Sequence, residues 1–314
     1  MRAERNRPAG LAVVLPLLAL ALSANVTRAK LSVVATTPDY GALASAIGGT
    51  SVTVTVLAKA TEDPHFVDAK PSHLVTLNRA DVLIESGADL ELGWLPPLVK
   101  GARNKNLLVG ARGRVLGSEG LQLLDVPAVL DRSRGDIHAK GNPHFLMDPE
   151  NAGIVAGRLS ALFCRLDSDS CSDYEANLEQ FRQRLDERVR AWNARLAPYE
   201  GTSIVTYHNT WRYFARRFGL RAEVFLEPKP GIPPSPPHLA QVIRQMRTDG
   251  IRVIMVEPFQ SRKTANAVAN HASAEVVQVC QFPGGLPGTE LDYIALMDAN
   301  VNAIADALAA APDR

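Results

Sequence analysis

Residues 172–198, SDYEANLEQFRQRLDERVRAWNARLAP, carry the strongest structural signal in the chain, because they predict one long amphipathic helix. Apolar side chains recur every three or four positions, the spacing of a single helix face, and charged residues fill most of the other positions. The apolar residues are Tyr174, Leu178, Phe181, Leu185, Val189, Trp192 and Leu196. Such a helix is a rod of roughly 40 Å, long enough to join two lobes rigidly. The alternative is an ordinary long surface helix of a second domain.

Short β-rich segments alternate with amphipathic segments on both sides of this helix. Before it, the pattern predicts strands at 31–36, 52–57 and 81–85 and helices at 40–47 and 72–79. After it, the pattern predicts strands at 203–206, 222–226, 252–256 and 275–280 and helices at 210–218, 237–248, 262–272 and 290–310. Such βα alternation implies mostly parallel sheets covered by helices. The sequence therefore predicts an α/β protein with two Rossmann-like lobes, residues 30–171 and 199–314, joined by one long rigid helix at 172–198.

The composition is that of an ordinary globular protein. Of the 314 residues, 46% are hydrophobic and 21% are charged, and the formal net charge is +1. This balance excludes disorder and a coiled coil as the overall class, and the length suffices for two domains. Because a near-neutral chain has no basic surface field, we expect no nucleic-acid partner.

Residues 1–29 are predicted to be an export signal. Three arginines precede the apolar run Leu11–Ala24, and small residues around Ala29 suit cleavage near that position. The run is shorter than the about 20 apolar residues of a membrane-spanning helix. No cysteine lies beside the cleavage site, so no lipid anchor is expected. The mature protein is therefore expected to be periplasmic.

Three cysteines are too few for a fold that is built on disulfides. Cys164 and Cys171 lie seven residues apart around a polar segment, 167–170, where a turn would bring them together. The sequence alone leaves open whether they are bridged. Cys280 ends an apolar run and is predicted to be a buried strand thiol.

Three of the seven histidines lie in loops where βα proteins place function. His65 follows the strand at 52–57, His208 follows the strand at 203–206, and His144 lies in a loop before a further helix. Ligands of open α/β sheets bind beyond the carboxyl ends of the strands, so these loops can converge on one ion. Three neutral imidazoles suit Zn²⁺ well. Of the other four histidines, His73, His238 and His271 lie in predicted helices, so only His138 is left outside them.

Four segments, in this order, resemble the zinc and manganese substrate-binding proteins of bacterial ABC transporters. They are TEDPHFVDAKPSHLVTLNRADVLIESG, GNPHFLMDPENA, VTYHNTWRYFARRFGL and IRVIMVEPFQSR. The resemblance covers nearly all of the mature chain. It implies two βα lobes that hold a metal at their interface, with His65, His144 and His208 as the ligands.

The resemblance also implies a function. Manganese-type members have a Glu at the third ligand position, so His208 favours Zn²⁺ over Mn²⁺, a harder ion that imidazole suits less well. The expected protein is a periplasmic solute-binding component, without catalysis, that captures the metal as a monomer and delivers it to an ABC permease.

Two departures from the family pattern bear on the site. Members often supply a fourth ligand, an Asp or Glu, from the loop after the last strand, but counting back from the predicted C-terminal helix reaches Gln281. Glu290, Asp292 or a water molecule are the alternatives. The His-rich loop of many zinc-type members is also missing, because residues 113–137 contain no histidine. His138 is left as the candidate for an auxiliary or transfer role.

A zinc-dependent hydrolase is the alternative function, because three histidines and a water also hold catalytic zinc. Glu62, Asp63 and Glu257 are available as a general base. The sequence contains no HExxH, no GxSxG and no phosphate-binding loop, which are common signs of an enzyme. A surface adhesin is the third class of function, and it ranks last because no membrane anchor is expected.

Overall fold

A computed structural model describes residues 29–128, 138–229 and 231–311. The predicted export signal, apart from its last residue Ala29, lies outside the described residues and remains a prediction. The strands are β1 (Leu31–Ala35), β2 (Val52–Val56), β3 (Val82–Glu85), β4 (Arg114–Leu116), β5 (Ser203–Thr206), β6 (Arg221–Phe225), β7 (Val253–Val256) and β8 (Glu275–Gln278). The helices are α1 (Pro38–Gly48), α2 (Pro71–Arg79), α3 (Leu95–Ala102), α4 (Pro149–Leu166), α5 (Cys171–Leu196), α6 (Arg212–Arg217), α7 (Pro236–Asp249), α8 (Arg262–Ala272) and α9 (Tyr293–Ala310). None of these described helices is both long and apolar enough to cross a bilayer.

Each half of the described chain contains one four-stranded parallel sheet. The strand order is β2-β1-β3-β4 in the first half and β6-β5-β7-β8 in the second, and the recorded strand pairs are all parallel. The α/β class with two βα lobes is thereby confirmed. In both sheets the carboxyl ends of the strands lie at one edge, which is where a ligand crevice is expected.

Two elements of the first half are absent from the sequence-based prediction. β4 is only three residues long and half-buried, with glycines on both sides, so it has no apolar periodicity to detect. α3 begins Leu-Pro-Pro. Prolines are tolerated in the first turn of a helix, where the backbone N–H groups have no partner within the helix.

The long helix α5 packs against helices from both halves of the chain. It contacts α1 and α4 of the first half and α9 of the second. Its buried residues are Tyr174, Phe181, Leu185, Trp192 and Leu196. They share one apolar core with Val33 of β1 and Val253 of β7. The helix is therefore not a surface element of one half. The lobe limits 30–171 and 199–314 remain predictions.

Covalent and polar contacts hold α5 in place. Cys164 of α4 and Cys171, the first residue of α5, form the disulfide that the sequence alone left undecided. Further along, Asp298 of α9 accepts hydrogen bonds from Trp192 Nε1 at 2.6 Å and Arg188 Nε at 2.8 Å. Because these contacts join α5 to one helix from each half, they limit movement of the halves about it.

Candidate metal centre

Three histidines from distant parts of the chain meet at one point. The ring centroid of His65 lies 5.4 Å from that of His144 and 5.3 Å from that of His208, and the last two centroids are 5.2 Å apart. One ring nitrogen from each residue lies within 4.8 Å of the other two. The structure thus brings the three residues that the sequence singles out close enough for one ion to contact all of them after small side-chain adjustments.

The loop after β2 positions His65. Asp63 Oδ1 accepts a hydrogen bond from the backbone N–H of His65 at 3.0 Å and lies 2.8 Å from its Nδ1 atom. The indole N–H of Trp94 donates to the carbonyl of Pro64 at 2.9 Å. Pro64 also has a restricted φ. The chain on the amino-terminal side of His65 is therefore held before any ligand binds.

The loop before α4 positions His144, which is the buried member of the three. Its backbone N–H donates to Asn142 Oδ1 at 3.0 Å, and its Nδ1 lies 3.1 Å from Oε1 of Gln281. Asn142 also donates from Nδ2 to the carbonyl of Asn209 at 2.8 Å, which brings this loop beside the loop of His208. The Nε2 atom of His144 is buried without a hydrogen-bond partner among the described residues.

The edge formed by β5 and β6 positions His208. The hydroxyl of Thr206, the last residue of β5, donates to the carbonyl of His208 at 2.7 Å. The Nδ1 atom of His208 is hydrogen-bonded to Oε1 of Glu227, which follows β6. Sequence reasoning did not identify Glu227 as a site residue. The available signal was its position just after the strand that neighbours β5.

The three rings share one pattern, because each Nδ1 atom faces an oxygen. The oxygens belong to Asp63, Gln281 and Glu227. An Nδ1–H that donates to such an oxygen leaves Nε2 as the unprotonated nitrogen of a neutral imidazole, and it fixes the orientation of the ring. This is the arrangement expected of metal-ligating histidines, and it also accounts for the unpartnered Nε2 of His144.

Electrostatics favour a cation at this point. Burial, with contributions from nearby His208 and His65, holds the pKa of His144 well below its ordinary value. Burial and the same two neighbours lower the pKa of His138 to about 3. Burial alone would raise the pKa of Asp63, but the hydrogen bond and charge of His65 outweigh it and the pKa is lowered. His144 and His138 are therefore held in the neutral form, and the carboxylate of Asp63 lies against His65 in its charged form.

The three protein candidates for a fourth ligand have other partners. Gln281 directs Oε1 to His144 and donates from Nε2 to Oε2 of Glu257 at 3.0 Å. Asp292 accepts hydrogen bonds from two backbone N–H groups at the start of α9. Glu290 accepts one from a backbone N–H of its own loop. Among them, only Gln281 contacts one of the three histidines, and it does so at Nδ1.

A cleft of about 350 Å³ opens beside the centre. His65 and His208 line it, together with Phe66, Ile232 and other apolar side chains. The side chains of His65 and His208 are each 13% exposed. The centre is therefore nearly enclosed, with access from this cleft.

Comparisons with known proteins give one consistent result. The family model described as zinc-uptake complex component A, periplasmic, matches residues 33–307 of the chain. The manganese ABC transporter substrate-binding lipoprotein PsaA of Streptococcus pneumoniae serotype 4 is 22% identical over 290 residues, covering 89% of this chain and 90% of that protein. The high-affinity zinc uptake system protein ZnuA of Bacillus subtilis is 23% identical over 264 residues, covering 81% of this chain and 80% of that protein.

The fold also matches solved structures. A crystal structure of ZnuA superposes with a TM-score of 0.75 at 24% sequence identity, covering 88% of this chain and 99% of that chain. At this level of identity the likeness shows a shared fold. The relatives carry different metals in their names, so the comparisons identify a metal-binding protein without selecting one metal.

Proposed function

This chain belongs to the family of zinc-uptake complex component A periplasmic proteins and is a metal-binding component of an ABC transporter, and on that premise we propose that its cargo is Zn²⁺. In this proposal His65, His144 and His208 bind the ion through their Nε2 atoms. A membrane permease then receives it. We further propose that residues 1–29 are removed on export and that the protein acts in the periplasm as a monomer without a lipid anchor.

One observation supports the ligand assignment above all. The Nε2 atom of His144 is buried and has no partner among the described residues, although an unsatisfied buried polar atom is costly. Its Nδ1 atom faces Gln281, so Nε2 is the ring nitrogen that remains for a ligand shared with His65 and His208. A bound cation would satisfy it.

The donor set supports zinc as the cargo. Three imidazole nitrogens suit Zn²⁺, whereas Mn²⁺ prefers carboxylate, carbonyl and water oxygens. The carboxylates nearest the centre, Asp63 and Glu227, face the Nδ1 atoms of the histidines. Mn²⁺ is therefore expected to bind more weakly than Zn²⁺.

The structure gives less support to a zinc-dependent hydrolase. Each proposed general base is already engaged. Glu62 accepts from the backbone N–H of Lys59 at 3.0 Å, Asp63 faces His65, and Glu257 accepts from Gln281. Burial raises the pKa of Glu257 to about 7, and this buried carboxylate accepts hydrogen bonds from both Gln281 and Trp211.

The rigid contacts of α5 predict how the ion is captured. Because α5 packs on helices from both halves, a wide hinge motion would break buried contacts. We therefore expect binding to involve small movements of the loops that contain the histidines. Small-angle scattering with and without zinc should give nearly equal radii of gyration.

Metal titration of the purified protein tests the proposal. We expect about one tightly bound Zn²⁺ per chain, measured by competition with a chelator, and weaker binding of Mn²⁺. The triple variant His65→Ala, His144→Ala and His208→Ala should lose that site. His271→Ala, which removes an exposed histidine of α8, is the matched control and should bind as the wild type does. Undiminished binding by the triple variant would reject the assignment.

A further inference from the structure

His138 lies directly beside His65, one of the three histidines, at the start of the segment that leads to His144. Its Nε2 atom is 3.1 Å from Nε2 of His65, and the two rings stack with centroids 5.1 Å apart. We propose that His138 supplies a fourth nitrogen ligand to the captured ion, completing a four-imidazole site. This inference rests on the proposed function, because it concerns the same ion.

The separation of the two nitrogens fits a shared ion. In a tetrahedral zinc site with bonds of about 2.0–2.1 Å, neighbouring ligand nitrogens lie about 3.3 Å apart. The observed 3.1 Å between Nε2 of His65 and Nε2 of His138 is close to that edge length. The distance between these two atoms is thus already close to that between two ligands of one ion.

The contact of His65 with Asp63 also favours Nε2 of His65 as the nitrogen that binds an ion. Nδ1 of His65 faces the Asp63 carboxylate, which favours a proton on Nδ1 and none on Nε2. The facing Nε2 atoms of His65 and His138 lie at hydrogen-bond distance, 3.1 Å, so a proton on one of them can be accepted by the other. Zinc binding would displace such a proton and let both nitrogens contact the ion.

Neighbouring contacts hold His138 in place. The backbone N–H of Ala139 donates to Oδ2 of Asp89 at 3.2 Å, and the Lys140 ammonium lies 4.0 Å from Oδ1 of the same residue. The N–H of Gly141 donates to the carbonyl of His138 at 3.1 Å and closes a turn. The segment that carries His138 is therefore tied to the loop after β3.

A fourth imidazole would take the place of a carboxylate ligand at this centre. By its place in the sequence, Gln281 corresponds to the position of that carboxylate in the family pattern. Its amide makes hydrogen bonds with His144 and Glu257 instead. A donor set of four nitrogens and no oxygen would further favour zinc over manganese. We therefore expect His138 to contribute to metal selectivity as well as to affinity.

Cobalt substitution tests whether residue 138 reaches the ion. In His138→Cys loaded with Co²⁺, a thiolate ligand should produce a sulfur-to-cobalt charge-transfer band in the near ultraviolet. His271→Cys, which puts the same thiol on the exposed face of α8, is the control and should show no such band. A His138→Cys protein that binds cobalt without the band would overturn the inference.

Zinc binding gives a second, independent measurement. X-ray absorption of the zinc-loaded wild type should show four imidazole nitrogens, and His138→Ala should show three nitrogens and one oxygen. We expect His138→Ala to bind zinc at least about tenfold more weakly, while His271→Ala is unchanged. Three imidazoles in the wild type would refute the role of His138, even if the variant failed to fold.

The two proposals fail in different ways. If the wild type binds one zinc, His65→Ala abolishes binding and His138→Ala has no effect, only the role of His138 is wrong. If the wild type binds no zinc, or His65→Ala binds normally, the proposed function itself is wrong.

Discussion

Nδ1 of His144 lies 3.1 Å from Oε1 of Gln281, a residue 137 positions further along the chain. The other end of the Gln281 amide donates to Oε2 of Glu257 at 3.0 Å, and Oε1 of Glu257 accepts from Trp211 Nε1 at 3.3 Å. A line of hydrogen bonds therefore runs from the interior of the second half to a proposed ligand from the first. This network orients the ring of His144, because the hydrogen-bond partner of its Nδ1 atom, Gln281, belongs to the second half.

Replacing Gln281 should weaken zinc binding without removing it. In Gln281→Met the shape is nearly kept, but Nδ1 of His144 loses its acceptor and the ring loses its fixed orientation. Loss of such an outer partner lowers metal affinity by about 10–100-fold. Gln241→Met, at an exposed position of α7, is the control, and both affinities are measured by chelator competition. Equal affinities would show that Gln281 does not orient His144.

The carboxylate of Glu227 should matter in the same way for His208. Glu227→Gln keeps the size of the side chain but removes the charge that strengthens the ligand through its Nδ1–H. We expect zinc affinity to fall by about 10–100-fold. The control is Glu223→Gln, an exposed residue of β6 that pairs with Arg212. Isothermal titration with a competing chelator compares the two, and a similar loss in both variants would contradict this role.

Two aspartates of α9 offer a matched test of how α5 is held. Asp298 accepts hydrogen bonds from Arg188 and Trp192, and Trp192 is buried. Asp306 pairs with Arg195 and is 71% exposed. Asp298→Ala should lower the free energy of unfolding by about 2 kcal/mol, whereas Asp306→Ala should change it by less than about 0.5 kcal/mol. Urea denaturation of the metal-free proteins measures both, and the reverse order would refute this account.

Glu91 should make the metal-free protein less stable as the pH rises. Burial, with the nearby charge of Glu85, raises the pKa of Glu91 from 4.5 to about 8. The folded state therefore keeps a proton that the unfolded state has released, so this contribution to stability is fully present below about pH 4.5 and is lost progressively as the pH rises to about 8.

The expected loss can be measured above the pH at which unfolded histidines titrate. Between about pH 7 and about pH 8.5 the free energy of unfolding should fall by about 1 kcal/mol because of this group. Glu91→Gln, which does not titrate, should remove most of that slope. Glu290→Gln, at an exposed site, should keep it. Urea unfolding at several pH values in the presence of a chelator makes the comparison, and an unchanged slope in Glu91→Gln would contradict the prediction.

Local patterns explain why much of the fold and the three histidines follow from the sequence. The strands that the sequence predicts and the helix α5 have strong apolar patterns. His65 and His208 each come soon after the carboxyl end of a strand, where ligands of open α/β sheets bind. The partners of these rings are harder to predict. Glu227 is identified only when β6 is known to lie beside β5, and Gln281 only when the two halves are packed together.

The short distance between His138 and His65 is also hard to predict from the sequence. Seventy-three positions separate these residues, and no motif marks His138 apart from its being a histidine ahead of His144. Its position depends on the contacts of Asp89 with Ala139 and Lys140. Such long-range contacts leave no periodic trace in the sequence, so its distance from His65 required the structure.

The bridge between Cys164 and Cys171 has a consequence for the order in which the chain matures. Both cysteines are synthesised well before Cys280, and their short separation of seven positions makes their encounter rapid. Oxidation can then finish before the odd thiol arrives. Once Cys280 is buried, its surroundings raise its pKa to about 12, which removes the thiolate that exchange requires. A chain with three cysteines is thus expected to reach its correct covalent form without an isomerase.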